Sequence, residues 1–315
     1  MKKAVILESL GISKEELDAF KKPFEGEVEF KDYAKTTDVP TLIDEAKDAD
    51  VMIIANMPMP GEVLSACDNL KFIDVAFTGV DHVALDVAKA KGIKVSNASG
   101  YSNEAVAELV IGMAISMLRH IPETQERVRA GGTKDGLVGT ELRGKTVGII
   151  GYGNIGSRTG ELFHAFGCNI LAQSRSVHPE YPAYAKQVSQ DELLAESDIV
   201  VLHCPLNDST RGMIDYGKLC KMKKSAILIN VARGPVTNED DLARALKEGV
   251  IAGAAVDVFT KEPPLPSDTQ MLSAPNTLLT PHIAFASKES MTLRAEIVFD
   301  NLRAFLDGTQ KNVIL

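Results

Sequence analysis

The chain has 315 residues, of which 45% are hydrophobic, 24% charged and 5% aromatic, and its formal net charge is −9. That length and apolar content can fill two moderate cores, so two domains are expected. The acidic balance, with no basic block anywhere, argues against nucleic acid or an anionic membrane as a partner. The longest apolar stretch, Leu109–Leu118, is too short to span a bilayer.

From the N-terminus, "MKKAVILESLG" starts basic but has only four apolar residues before Glu8, so it reads as a first strand and not a signal peptide. Strand candidates "AVIL", "VEF", "VMIIA", "FIDVAF" and "KVS" then alternate with helical stretches, the first of which carries Ser13 and Glu16 at capping-box spacing. The segment "YSNEAVAELVIGMAISMLRHIPETQERVRAG" follows and is apolar on every side between Ala105 and Leu118. Such a helix is buried all round, either inside its own domain or against a second subunit, and a homodimer through this region is one expectation. After Gly144 the alternation restarts with "TVGII", "NILAQ", "IVVLH", "AILINV", "GAAVDVF" and "TLLTP", and an amphipathic helix closes the chain at Gly308. The fold class is therefore α/β, with two doubly wound parallel-sheet domains. The first would be split, residues 1–98 plus 286–315, around a second spanning 99–285. Cys67, Cys168, Cys204 and Cys220 form no C-x-x-C pair and the six histidines lack ligand spacing, which fits reduced thiols in cytoplasm and suggests no metal site.

The strand Thr146–Ile150 runs into Gly151, Gly153 and Gly156, spaced G-x-G-x-x-G, and a helical pattern follows to Phe166. Such glycines allow a tight turn, close approach of a pyrophosphate and close helix–sheet packing, while the helix start offers N–H groups and positive dipole. Dinucleotide binding is the expectation, and a merely structural strand–turn–helix the alternative. Farther on, three apolar strands each end near a polar side chain: Arg233, Asp257 with nearby Glu262, and His282. In an open α/β sheet those ends line the ligand crevice. There an arginine can grip a carboxylate bidentately, and a histidine supported by a carboxylate can exchange the proton that accompanies hydride transfer. Taken singly, each has a plainer role: a surface ion pair for Arg233, a solvated loop charge for Glu262, a backbone-bonded strand end for His282.

Together these stretches resemble the D-isomer-specific 2-hydroxyacid dehydrogenase family over essentially the whole chain. The marks are "TGVDH", "NASGYSNEAVAE", "GKTVGIIGYGNIG", "LHCPLNDSTRGMI", "LINVARGPVTNEDDL", "AAVDVFTKEP" and "LLTPHIA", in that order. The resemblance implies a Rossmann cofactor domain inserted into a flavodoxin-like substrate domain, and reversible NAD(P)-linked reduction of a 2-oxo acid to its D-2-hydroxy acid. It implies that Arg233 binds the substrate carboxylate and keto oxygen, that His282 is the general acid and base, and that Glu262 tunes it. Backbone N–H groups of Thr78, Gly79 and Val80 would hold the carboxylate, with Thr78 also touching the cofactor. Asn154 and Ile155 would lie at the pyrophosphate, and Cys204, Val231, Ala232 and Asp257 against the nucleoside and nicotinamide halves. Glutamate at 262 speaks against the formate dehydrogenase branch, which is similar but has glutamine there. Ala284 and Phe285 depart from the family's usual glycine and bear on pocket shape. A non-catalytic NAD(H)-sensing interaction protein on the same scaffold is the rival reading, disfavoured by the intact Arg–Glu–His set.

Two finer expectations concern specificity. At the end of "NILAQSRSVHPE" the position that usually carries an acidic residue for NAD is Ser174, 18 residues beyond Gly156, followed by Arg175. A missing carboxylate and a nearby arginine favour NADP(H). The loop "ANMPMPGEV" offers Met57 and Met59 but no lysine or arginine, and Phe77 adjoins the carboxylate turn. Small or apolar 2-oxo acids are therefore expected to outperform phosphohydroxypyruvate, the alternative being that these apolar residues are loop packing. No regulatory domain is expected after the C-terminal helix, which points to a short form like the hydroxypyruvate and glyoxylate reductases.

Overall fold

Short apolar runs become strands here and the stretches between them become helices. The computed structural model describes residues 1–174, 181–262 and 264–315, and it divides into one unit of Met1–Ser102 with Ala286–Leu315 and another of Asn103–Phe285.

In the first unit β1 (Lys2–Ile6), β2 (Val28–Asp32), β3 (Val51–Ile54), β4 (Phe72–Val75) and β5 (Lys94–Asn97) form one parallel sheet in the order β2-β1-β3-β4-β5. That is the flavodoxin-like order, with its reversal between β1 and β3. Every residue of β3 and β4 is buried, as central strands covered on both faces require. The helix Lys14–Lys21 starts with the capping box of Ser13 and Glu16. The C-terminal helix Lys288–Leu306 packs on this sheet, Phe305 stacking on Phe72 with centroids 4.5 Å apart and Phe299 stacking on Phe20 at 5.4 Å.

The second unit holds β6 (Thr146–Ile150), β7 (Asn169–Gln173), β8 (Ala185–Gln187), β9 (Ile199–Leu202), β10 (Ile227–Asn230), β11 (Gly253–Val256) and β12 (Thr277–Leu279). All are parallel in the order β12-β11-β10-β9-β6-β7-β8, a Rossmann sheet with one further strand. Alternate residues feed two separate cores: Val200 and Leu202 pack in one, Ile199 and Val201 in the other. The helix Asn103–Leu118 buries Val106, Ala107, Val110, Ile111, Met113 and Ala114. Within the single chain Glu104, Glu108 and Gly112, four residues apart, form an exposed stripe along it. No single helix among the described residues is long and apolar enough to cross a membrane.

Candidate active site

The glycine turn after β6 has the geometry a pyrophosphate needs. Gly151 sits at φ 97°, and a Cβ there would lie 2.5 Å from the Cys204 nitrogen, so only glycine lets the turn pass this close to the end of β9. A Cβ on Gly156 would lie 2.2 Å from the Gly151 oxygen, which is what ties the helix Asn154–Ala165 against the turn. Gly153 is different: it is exposed and no atom lies within 4 Å of where its Cβ would be. Its helix start also has no side-chain cap, leaving the first N–H groups and the positive end of the dipole for an anion. Asn154 is exposed and Ile155 half-buried at the same turn. The residues present thus fit a dinucleotide phosphate.

Beneath this turn lies a residue that the sequence reading passes over. His203 is bonded through Nε2 to Thr159 Oγ1 at 2.9 Å, and that hydroxyl already donates to the Ile155 carbonyl at 3.0 Å. Nε2 must therefore carry the proton, and burial pushes the imidazole pKa down to about 3, so the ring is neutral. It braces the cofactor-side helix from β9. Next to it the Cys204 thiol is buried and pushed up to about 11, which makes it a packing group and not a nucleophile. At the end of β7 the Ser174 hydroxyl lies 2.9 Å from that of Tyr181. Arg175, expected beside it, lies outside the described residues.

β10, β11 and β12 are neighbours in the sheet and parallel, so their carboxyl ends share one edge. Val231 and Ala232 lead from β10 into Arg233, and the loop is held by Asn230, whose amide bonds the Arg233 carbonyl at 3.1 Å and accepts from the Ala232 nitrogen at 3.1 Å. Arg233 is half-buried and one of its guanidinium nitrogens donates to the Ala232 carbonyl. His282 follows β12 and adopts φ 56°, a left-handed conformation that costs an ordinary residue about 1–2 kcal/mol. Asp257, just after β11, holds it there. Its carboxylate is fully buried and accepts from Thr280 Oγ1 at 2.6 Å and from the Ile283 and Ala284 nitrogens at 2.8 Å each, while its carbonyl accepts from the His282 nitrogen at 2.8 Å. The family resemblance assigns Asp257 to the cofactor; within the chain its carboxylate also holds the turn that carries His282. Glu262 Oε1 lies 3.2 Å from His282 Nδ1, and Phe285 sets its ring edge-on to the imidazole at 5.3 Å.

Thr78, Gly79 and Val80 form a turn after β4 in the first unit. The Thr78 hydroxyl oxygen is buried with no hydrogen-bond partner among the described residues. In the neighbouring loop Met57 and Met59 are both fully buried. Glu8, at the sheet's point of reversal, accepts from the Ala55 and Met57 nitrogens at 3.0 and 2.9 Å and fixes that loop. The loop has no cation of its own, yet the fold brings one to it: Lys35 Nζ is 3.2 Å from Asn56 Oδ1 and is paired with Glu8 at 2.5 Å.

Known proteins resemble this chain in sequence and in fold. The family model of the D-isomer specific 2-hydroxyacid dehydrogenase NAD binding domain matches residues 111–284. A hydroxypyruvate reductase of Blautia hydrogenotrophica is 35% identical over 99% of this chain and 99% of its own. Among solved structures, a glyoxylate reductase from Paecilomyes thermophila is 30% identical with a TM-score of 0.89, covering 99% of this chain and 98% of that one. An acyclic imino acid reductase in complex with NADPH and D-Arg is 27% identical with a TM-score of 0.91, covering 99% and 100%. Likeness along the full length, on the same two-sheet fold, makes this chain a member of the D-isomer specific 2-hydroxyacid dehydrogenase family and a nicotinamide-dependent oxidoreductase.

Proposed function

We propose that the protein reversibly reduces a small 2-oxo acid to its D-2-hydroxy acid, with His282 as proton donor and acceptor. The observation that carries this reading is the Glu262 carboxylate 3.2 Å from His282 Nδ1, on the sheet edge that also bears Arg233. With Nδ1 facing Glu262, Nε2 is the nitrogen left to serve the substrate oxygen, and the carboxylate stabilises the imidazolium formed in the oxidative direction. Arg233 would grip the substrate carboxylate and keto oxygen, polarising the carbonyl, and the backbone N–H groups of Thr78, Gly79 and Val80 would help hold the substrate carboxylate. The bound nicotinamide supplies the hydride. The Gly151–Gly156 turn would hold its pyrophosphate, and Cys204, Val231, Ala232, Asp257 and Thr78 would border the nucleoside and nicotinamide halves, Asp257 also holding the turn of His282.

Ser174 with Arg175 in place of an acidic residue supports NADP(H) over NAD(H). The names of the relatives, hydroxypyruvate reductase and glyoxylate reductase, point to small substrates of those kinds. The nearest cation to the Ala55–Val63 loop, Lys35, is paired with Glu8, which disfavours a phosphorylated substrate. We also assign a homodimer through the second unit, on the exposed apolar side chains Ile121, Val128 and Val138 near its first helix, and a reducing, cytoplasmic setting from the unpaired spacing of the cysteines. The test is turnover of a panel of 2-oxo acids with NADPH and NADH. His282→Ala should lose about a hundredfold to ten-thousandfold in kcat while still binding reduced cofactor, and Arg233→Ala should chiefly abolish use of the 2-oxo acid. Near-normal turnover by either variant would remove the role given to that residue.

A further inference from the structure

The first unit contains a polar run that no step described so far uses. It begins at Asp74, a fully buried carboxyl in the centre of β4. Asp74 and Phe72 lie on one face of the strand, two residues apart, and Asn301 and Phe305 lie on one face of the C-terminal helix, four apart. The two spacings match at about 6 Å, so the stacked phenyl rings and the Asp74–Asn301 hydrogen bond of 3.0 Å form side by side. The second hydrogen of the same Asn301 amide goes to the Asn97 carbonyl at 3.0 Å, and its oxygen accepts from Asn312 Nδ2 at 2.8 Å. Both hydrogens of the Asn301 amide, and its oxygen, are thereby engaged. Asn97, at the end of β5, passes the run onward: its backbone nitrogen donates to the Asn312 carbonyl at 3.1 Å, its Oδ1 accepts from the Ser99 nitrogen, and its Nδ2 donates to the Thr78 carbonyl at 2.7 Å.

That last bond matters because the Thr78 carbonyl and the Gly79 N–H belong to one planar trans peptide and point in opposite directions. Anchoring the carbonyl on Asn97 decides where the Gly79 N–H points. We infer that Asn97 and Asn301 are positioning residues for the 2-oxo acid, setting through this run of hydrogen bonds the peptide that presents its N–H to the substrate carboxylate. The inference rests on the functional reading above. Burial raises the Asp74 carboxyl well above the usual range, because the charged form is penalised where the side chain is cut off from water. Both amide hydrogens of Asn301 have acceptors, which fixes the orientation of that amide between Asp74 and Asn97, while the second carboxyl oxygen of Asp74 is buried without a partner among the described residues.

Asn97→Asp keeps the size and the acceptor for Ser99 but sets an oxygen against the Thr78 carbonyl; Asn97→Ser is neutral and too short to reach it. With saturating reduced cofactor, both should raise KM for the 2-oxo acid about tenfold or more, with a smaller change in kcat and an unchanged affinity for the cofactor. Asn301→Ala, acting from the far end, should raise the same KM about threefold. A merely structural role would lower the melting temperature and leave KM for the 2-oxo acid within twofold of wild type, and that result in the Asn97 variants overturns the inference. If the charge of Asn97→Asp prevents folding, Asn97→Ser decides alone. Absence of 2-oxo acid turnover in the wild type is a separate outcome; it sinks the functional reading and this inference with it.

Discussion

Replacing Asp257 by asparagine tests whether this carboxylate works by holding the turn of His282. Both of its oxygens accept hydrogen bonds, Oδ1 from Thr280 Oγ1 and the Ile283 nitrogen, Oδ2 from the Ala284 nitrogen. An amide has one oxygen, so either orientation of Asp257→Asn sets an NH2 against a backbone N–H at a fully buried position. One bond to a charged acceptor is lost and one buried donor is orphaned, a cost of about 2–4 kcal/mol. In a unit of this size that lowers the melting temperature by on the order of 10 °C. It also frees the turn that keeps His282 at positive φ, so kcat should fall at least about tenfold from misplacement of the imidazole. Differential scanning calorimetry and steady-state kinetics with the reduced cofactor varied would read both effects. A melting temperature within about 2 °C of wild type, together with a loss confined to the cofactor KM, would refute a turn-holding role and leave Asp257 with cofactor contact alone.

Two further outcomes can be checked. Ser174→Asp places a carboxylate where a 2′-phosphate would sit and breaks the pairing with Tyr181, so kcat/KM for NADPH should fall tenfold to a hundredfold and that for NADH should rise; a wild type that prefers NADH, with NADPH use unaltered in Arg175→Ala, rules out the cofactor assignment. Asp74 has a folded pKa raised by burial above its unfolded value of about 3.9, so the native state binds its proton more tightly and the wild type loses stability as pH climbs from there toward the folded pKa. Asp74→Asn keeps the acceptor for Asn301 without that penalty, and its stability relative to wild type should improve as pH rises above the unfolded value in urea titrations; a difference independent of pH would mean that Asp74 ionises without cost.

The features legible in the amino-acid sequence are those encoded within a few consecutive residues. Strand–turn–helix around Gly151 is contiguous, so its period and spacing declare it, and the same holds for the capping box at Ser13 and for the strand ends that carry Arg233 and His282. β8 escapes such reading because it has three residues, two of them exposed, at the edge of the sheet. The helix of Asn103–Leu118 looks apolar throughout, yet its exposed stripe needs only two glutamates and a glycine at fourfold spacing. What only the tertiary structure decides is the partner of each buried polar group. His203 meets Thr159 across 44 residues, Asn301 meets Asn97 across 204, and Asp257 spends its carboxylate on the segment after β12. The loop of Met57 and Met59 is tied to Glu8, far behind it in the chain, through the Ala55 and Met57 nitrogens. Periodicity records which face of an element is apolar; a hydrogen bond between distant elements depends on their packing, to within a few tenths of an ångström, and no local pattern carries that distance.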